Sequence, residues 1–192
     1  MVYIMSMNLG NIWSDKTPPP NYKRKSENVK KFNMNKPRKI SDNHSKAYWG
    51  TPTWFLFHTI AARINEQWYN QNYTIVWNFI RDCCAVLPCP FCRTHAVAFV
   101  NSINISSIST KNGLKNTLYN FHNVANSHSG KGNVNRAVLT KYDRAKIKSI
   151  FDLFESRFFR SYIGTRQFND WQKNEFKIKF YDFFNTVRTH FN

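Results

Sequence analysis

The sequence predicts an all-α protein, and three observations carry that prediction. After Tyr48 the apolar residues recur at spacings of three and four rather than alternating. Helix starts and stops, Thr or Pro before and Gly or Pro after, bracket those stretches. Nothing in the chain alternates strand with helix as a parallel sheet would require. Of the 192 residues, 42% are hydrophobic and 17% aromatic, with 17 Phe, which is enough for a packed core and too apolar for a disordered chain.

Residues 1–46 read as a basic arm. They hold Pro18-Pro19-Pro20, Lys23-Arg24-Lys25, Lys30-Lys31 and Lys36-Pro37-Arg38-Lys39 without an apolar period. Such an arm could meet nucleic acid, anionic lipid or an acidic protein, or simply be a solvated tail. A first helix is expected to start at Thr51-Pro52, with Thr as cap and Pro at the first helical position. It carries Trp54, Phe57, Ala61, Ile64 and Trp68, and Asn70-Gln71-Asn72 reads as the turn after it. A second helix carries Ile75, Val76, Phe79, Ile80, Cys83, Val86 and Leu87, and Pro88 stops it. A short third helix runs from Pro90 to about Val100. Residues 101–110 read as a polar loop, although Ile103, Ile105 and Ile108 alternate as a strand would. A fourth helix carries Leu114, Leu118, Phe121, His122 and Ala125 and ends at Ser129-Gly130-Lys131-Gly132. Ile147, Ile150, Phe151, Phe154, Phe158 and Tyr162 mark a fifth helix. Phe176, Phe180, Phe183, Phe184 and Val187 mark a sixth.

Charge and cysteine usage narrow the function classes. Lys and Arg number 28 against 11 Asp and Glu, a net charge of +17. The chain also has 24 Asn and abundant Ile, Phe and Tyr, residues with A/T-rich codons, so the basic excess has two readings, genome composition or an anionic partner. No apolar run reaches the roughly 18 residues of a membrane span. The first 13 residues lack a signal-peptide pattern. All four cysteines, Cys83, Cys84, Cys89 and Cys92, fall within ten residues, too sparse for a disulfide-stapled scaffold.

Leu87-Pro88-Cys89-Pro90-Phe91-Cys92-Arg93-Thr94-His95 sets two cysteines at i and i+3 where a helix begins. The positive helix end, Arg93 and His95 favour thiolate there, the environment of a reactive dithiol. Zinc held by Cys84, Cys89, Cys92 and His95 is disfavoured, because structural zinc usually takes two ligand pairs separated by a longer loop. A thioredoxin-like fold would need a strand before the motif, where the period is helical. Cys83 lies on the apolar stripe and reads as core. Cys84, a quarter-turn round, could exchange with the motif or sit at a subunit contact. Trp54 and His58 share one face of the first helix, and His122 and Asn126 one face of the fourth, with Asn123 beside them and Lys131 just beyond. Flat rings suit stacking on a ring system, Asn suits ring edges, and a Lys after a helix end suits a phosphate.

Trp54 to Ala62, then Pro88-Cys89-Pro90-Phe91-Cys92, then Phe121 to Asn126 with Gly130-Lys131, resemble in order and spacing the Erv/Alr family of flavin-linked sulfhydryl oxidases. Leu87 to Ala96 is most similar to poxvirus-type and other large-DNA-virus members. The resemblance covers about Tyr48 to Lys131. It implies a four-helix FAD-binding bundle over 47–135 with a short fifth helix, and usually a homodimer; the Phe-rich helical extension over 136–192 is read from its own apolar stripes, since residues after Tyr142 lie outside the resemblance. It implies an FAD-dependent thiol oxidase that forms disulfides in a partner protein and passes electrons to oxygen, giving hydrogen peroxide. Cys92 would lie beside the isoalloxazine ring and Cys89 would be the outer cysteine that meets substrate. Trp54, His58, His95, His122, Asn123 and Asn126 would contact FAD, with Lys131 near its ribose or phosphates. No metal is implied. The chain departs from the family at Leu87, where Tyr often stands, and in lacking a further structural cysteine pair and a shuttle dithiol in a tail. A separate thiol protein, such as a small thioredoxin-like carrier, is then the expected substrate. The expected location is the virion or infected-host cytoplasm, with the mitochondrial intermembrane space as the alternative. The rival reading is a basic helical module that binds nucleic acid or plays a structural part, with a non-catalytic cysteine cluster.

Overall fold

A computed structural model describes residues 42–162 and 170–192. The arm expected over 1–46 lies outside the described residues up to position 41. Residues 42–46 belong to the first helix instead. The described residues form six α-helices: α1 (Asp42–Arg63), α2 (Glu66–Ala85), α3 (Pro90–Ser102), α4 (Lys111–His128), α5 (Ile147–Phe158) and α6 (Asp170–Val187). Short 3-10 helices at Ile105–Ile108, Arg136–Arg144 and Phe159–Tyr162 join them. The described residues form no strand; of the 101–110 segment, Asn101 and Ser102 still belong to α3, and Ile105–Ile108 is a 3-10 turn tied to α2 by the Tyr69 hydroxyl, which donates to the Ile108 carbonyl at 2.6 Å.

The first helix starts earlier than its capping signal predicts. Pro52 lies inside α1, where it cannot donate to the Tyr48 carbonyl. Packing compensates: Trp49 is buried in the core, and Arg157 sits 4.6 Å over the Tyr48 ring. The Thr53 hydroxyl also donates to the Trp49 carbonyl at 2.8 Å, reinforcing the turn that spans the proline. The predicted turn at 70–72 is likewise a kink within α2, at Asn72 (φ −127°, ψ 19°). The chain reverses earlier, at Ile64-Asn65, and the Asn65 side chain caps α2 by accepting from the Trp68 amide at 3.0 Å. Trp68 therefore belongs to α2.

Around this core α5 packs on α1 and α6 on α2. Phe151, Phe154, Phe158, Phe180 and Phe183 fill the seam, with Phe79 of α2 stacked on Phe183 of α6 at 3.8 Å and 2°. The end of the chain is fastened at the α1–α2 reversal. The Asn65 amide donates to the His190 carbonyl at 2.7 Å, and the Asn192 amide to the Arg63 carbonyl at 2.9 Å. The His190 ring stacks on Trp68 at 4.6 Å. No helix among the described residues is long and apolar enough to cross a membrane.

Candidate active site

Pro88 ends α2, and Pro90 opens α3 at its first position with Cys89 as its cap. The Cys89 sulfur accepts from the Cys92 backbone amide at 3.4 Å, and the Cys92 thiol donates to the same sulfur at 2.9 Å. All four cysteines are thiols. Closing Cys89 and Cys92 to a disulfide of about 2.05 Å needs less than about 1 Å of relative sulfur movement. The thiolate-favouring environment expected at Cys92 is not what its thiol meets in this dithiol. Burial, then the hydrogen bond to Cys89 and the charge of Cys89, push it up to about 12, opposed by Lys46 and its own backbone amide. Cys83 and Cys84 are buried, and burial raises both thiols well above the usual range.

Cys92 faces a cavity of about 380 Å³ between α1, α3 and α4. Of the predicted site residues, Trp54, Cys92, His95, His122, Asn126 and Lys131 line it. Trp54 and His122 form its flat wall, stacked at 4.1 Å and 6°. His95 is held between Phe91 (4.3 Å, edge-on) and His128 (4.1 Å, stacked). Lys131 is brought to the rim by the end of α4. The Lys131 amide donates to the Asn126 carbonyl at 2.8 Å and the Gly130 amide to Ser127 at 3.0 Å. This double closure turns the chain through Gly130 at φ +66°, a left-handed conformation that favours glycine.

Three predicted residues stand outside the cavity wall. Cys89 caps α3 and is half-buried, and it is not part of the lining. His58 is buried behind His122, with its Nε2 3.0 Å from His122 Nδ1. Asn123 is turned to the following loop, where its side-chain oxygen accepts from the Val134 amide at 2.9 Å. Burial first, then neighbouring cations, lowers His58 to about 3 and His122 to about 4, with His122 adding to the effect on His58. Both rings are neutral near pH 7, so one donates and the other accepts.

Sequence reasoning missed most of the remaining lining, including four residues whose side chains bear on the chemistry. Lys46 was assigned to the arm. Cys84, assigned no cofactor contact, also lines the cavity. Phe91 and His128 also line it, and His128 was legible, since Phe121, Ala125 and His128 share a face at spacings of four and three. The second cavity, about 410 Å³, opens on the far side of His58 and is lined by Tyr142, Arg136 and Lys115 among others. Among the described residues no three His, Cys, Asp or Glu side chains are placed to hold a metal ion.

The cavity fits a flavin nucleotide on its own chemistry. It offers flat rings, one carboxamide, and the cations Lys46 and Lys131 with no carboxylate in the lining, beside a dithiol.

Comparison with known proteins agrees in the same region. Residues 51–151, more than half of the chain, match the family model described as the Erv1 / Alr family. The chain is 27% identical over 100 residues to a protein of Invertebrate iridescent virus 3 named as an FAD-linked sulfhydryl oxidase, covering 52% of this chain and 66% of that protein. It is also 27% identical over 88 residues to one of Frog virus 3 (isolate Goorha) with the same designation, covering 44% of this chain and 59% of that protein. The chain thus spans less than two thirds of the length of these curated relatives. No solved structure gives a significant match.

Proposed function

The chain belongs to the Erv1/Alr family, and from that premise we propose that it is an FAD-linked thiol oxidase acting through Cys89 and Cys92. The observation that carries the reading is the cavity itself. One cysteine of a paired dithiol opens into a ring-lined, carboxylate-free pocket, while the other caps the helix outside it. Trp54, His122 and His95 would hold the flavin rings, Asn126 a ring edge, and Lys46 and Lys131 the phosphates. His58 positions His122, and Asn123 positions the loop beyond Lys131. Bound there, FAD would supply a two-electron acceptor for the dithiol that oxygen can reoxidise, giving hydrogen peroxide.

The residues divide the work. A substrate thiolate attacks the Cys89 sulfur of the Cys89–Cys92 disulfide, and Cys92 leaves as thiolate. In that mixed disulfide Cys89 neither accepts the Cys92 proton nor carries charge. Two of the influences that raise the Cys92 thiol are then gone, and Lys46 acts against burial alone. A second substrate thiolate then attacks the substrate sulfur and releases Cys89, leaving an oxidised substrate and a reduced enzyme. The substrate is a separate thiol protein, with a small thioredoxin-like carrier as the candidate, because every cysteine of this chain lies at Cys83–Cys92. Family membership favours a homodimer, and viral relatives favour the virion or infected-cell cytoplasm. Purified protein should be yellow, and Cys92→Ser should abolish thiol-dependent oxygen uptake. Colourless protein that takes up no FAD would overturn the reading.

A further inference from the structure

The segment behind the cavity wall is a weak element in a demanding place. Arg136–Arg144 is a 3-10 helix of nine residues, whereas such helices rarely exceed three or four because their hydrogen bonds are poorly aligned. Its side chains are exposed or half-buried, except for buried Tyr142. Yet this helix closes the rear of the site. The Tyr142 ring stacks on His58 at 5.0 Å and 28°, His58 meets His122 at 3.0 Å, and His122 stacks on Trp54 in the wall. Whatever holds Tyr142 down therefore holds the backing of that wall.

The two ends of this helix are fastened to different parts of the molecule. At its start Arg136 donates to the Asn116 side chain and lies over the Tyr119 ring at 5.4 Å, both on α4. At its far end the Asp143 carboxylate meets Lys115 at 3.8 Å, an exposed pair of little strength. The other tie there comes from the end of α1. Arg63 Nη1 donates to the Asp143 carbonyl at 3.0 Å, and Nη2 of the same guanidinium donates to the Asn192 carbonyl. Asn192 is itself anchored at the α1–α2 reversal. Its amide donates to the Arg63 carbonyl at 2.9 Å, its side-chain oxygen accepts from Asn65 at 3.3 Å, and Phe191 pairs with Ile64 as an isolated antiparallel bridge. One planar, permanently charged group thus joins carbonyls from two distant parts of the chain.

We propose that Arg63 is a positioning residue for the flavin site, clasping the 3-10 helix behind His58 to residues 191–192. The inference rests on the oxidase reading and adds a residue that lines neither cavity. Hydrogen bonds from a charged donor are stronger than neutral ones, and Arg63 is half-buried, so water competes less for them. The fork is rigid: once one carbonyl is engaged, the second bond orders little more of the side chain. Without the clasp the Tyr142 end of the helix loses a polar tie and can lift. Water then reaches His58, which burial keeps neutral, and His122 loses its backing. The wall loosens although no lining residue has changed.

Hydrogen exchange of the flavin-free protein reads the clasp directly. Arg63→Met keeps the aliphatic stem and removes the donors. In it the amides of 136–144 should exchange about ten-fold or more faster, while those of α5 keep their rates. Arg63→Lys keeps the charge but has one ammonium for two acceptors, and should fall between. Removing residues 191–192 should speed exchange at 136–144 in the unaltered protein and add little in Arg63→Met, the non-additivity of a shared contact. FAD titration is the second readout. Affinity should fall several-fold in Arg63→Met, the visible circular dichroism of the bound flavin should change, and Arg63→Lys should recover part of both. Unchanged exchange at 136–144, equal acceleration in α5, or additive effects of the two changes would each overturn the clasp. Faster exchange with unaltered affinity and dichroism would remove Arg63 from the flavin site. If the unaltered protein takes up no FAD, the oxidase reading fails, and the exchange series still decides whether Arg63 ties the helix to residues 191–192.

Discussion

At the scale of single residues, the site depends on groups held in protonation states that burial dictates. His58 and His122 are both neutral in the fold, with pKa values lowered to about 3 and about 4, chiefly by burial. In the unfolded chain each takes up a proton near pH 6.5. The unfolded state therefore binds more protons between pH 6.5 and about 4, and stability falls as the pH falls through that window. Above pH 6.5 the contribution is fully present. By pH 5 each histidine should cost about 1 to 2 kcal/mol. Urea unfolding of flavin-free protein at pH 7, 6 and 5 measures it, and His122→Asn should remove about half of the slope. A flat profile would mean that the pair is charged or exposed. Lys46 makes a second case. It lines the cavity with Cys92 and acts to lower that thiol. Lys46→Met should slow reduction of bound FAD by dithiothreitol several-fold, and the pH at which the rate rises should move upward. A slower rate with an unmoved pH profile would assign Lys46 to flavin binding alone.

At the scale of elements, sequence periodicity served well where burial is one-sided and poorly where helix ends are decided by distant contacts. The stripes of the fourth, fifth and sixth helices are visible because one face of each is apolar, and the structure buries those faces. The start of α1 was hidden, since the local signal at Thr51-Pro52 points to a cap while Trp49 and Arg157 hold an extra turn in place before it. Asn65 has no more capping character in sequence than Asn70 or Asn72. What selects it is the reversal enforced by Ile64 in the core and the chain end at His190. The site followed the same rule. Residues on stripes, such as Trp54 and His122, were legible as a face, but whether His58 or Asn123 lines the cavity or backs its wall depends on rotation and neighbours. The sixth helix gives a direct test of face assignment. Phe183 is buried and stacked on Phe79, whereas Ile178 is 62% exposed. Phe183→Ala should destabilise the protein by about 3 to 5 kcal/mol, and Ile178→Ala should change stability by less than about 0.5 kcal/mol. Equal losses in thermal unfolding would mean that α6 does not dock through its Phe face. At the end of α4, Gly130→Ala forces a side chain into φ +66° and should cost about 1 to 2 kcal/mol. Because Lys131 follows at once, the same change should weaken flavin affinity, which fluorescence titration reads independently of stability.

At the scale of the whole molecule, residues 83–142 carry basic residues and no carboxylate, while three of the ion pairs among the described residues lie on α5, α6 and the end of α2. Composition alone left the charge of +17 ambiguous between codon bias and function. Its distribution along the sequence is uneven, since residues 83–142 hold no carboxylate, and in the fold Asp143 reaches that stretch through its ion pair with Lys115. Such polarity has a thermodynamic consequence. Like charges held on a compact body repel more strongly than on an expanded chain, so folding concentrates the repulsion. Salt screens it, with a Debye length near 10 Å at 0.1 M. Exposed ion pairs such as Lys148–Asp152 act in the opposite sense, but each contributes only about 0 to 1 kcal/mol. Repulsion should therefore dominate. Raising sodium chloride from low to physiological concentration should lift the unfolding midpoint of flavin-free protein by a few degrees, since about 1 kcal/mol corresponds to roughly 2 to 4 °C in a chain of this size. In the flavin-loaded protein the gain should shrink, because the same salt weakens the hold of Lys46 and Lys131 on the phosphates. Calorimetry of both forms across one salt series separates the two effects. A midpoint that falls with salt in the flavin-free protein would mean that the ion pairs of α5 and α6 outweigh the repulsion of the net positive charge.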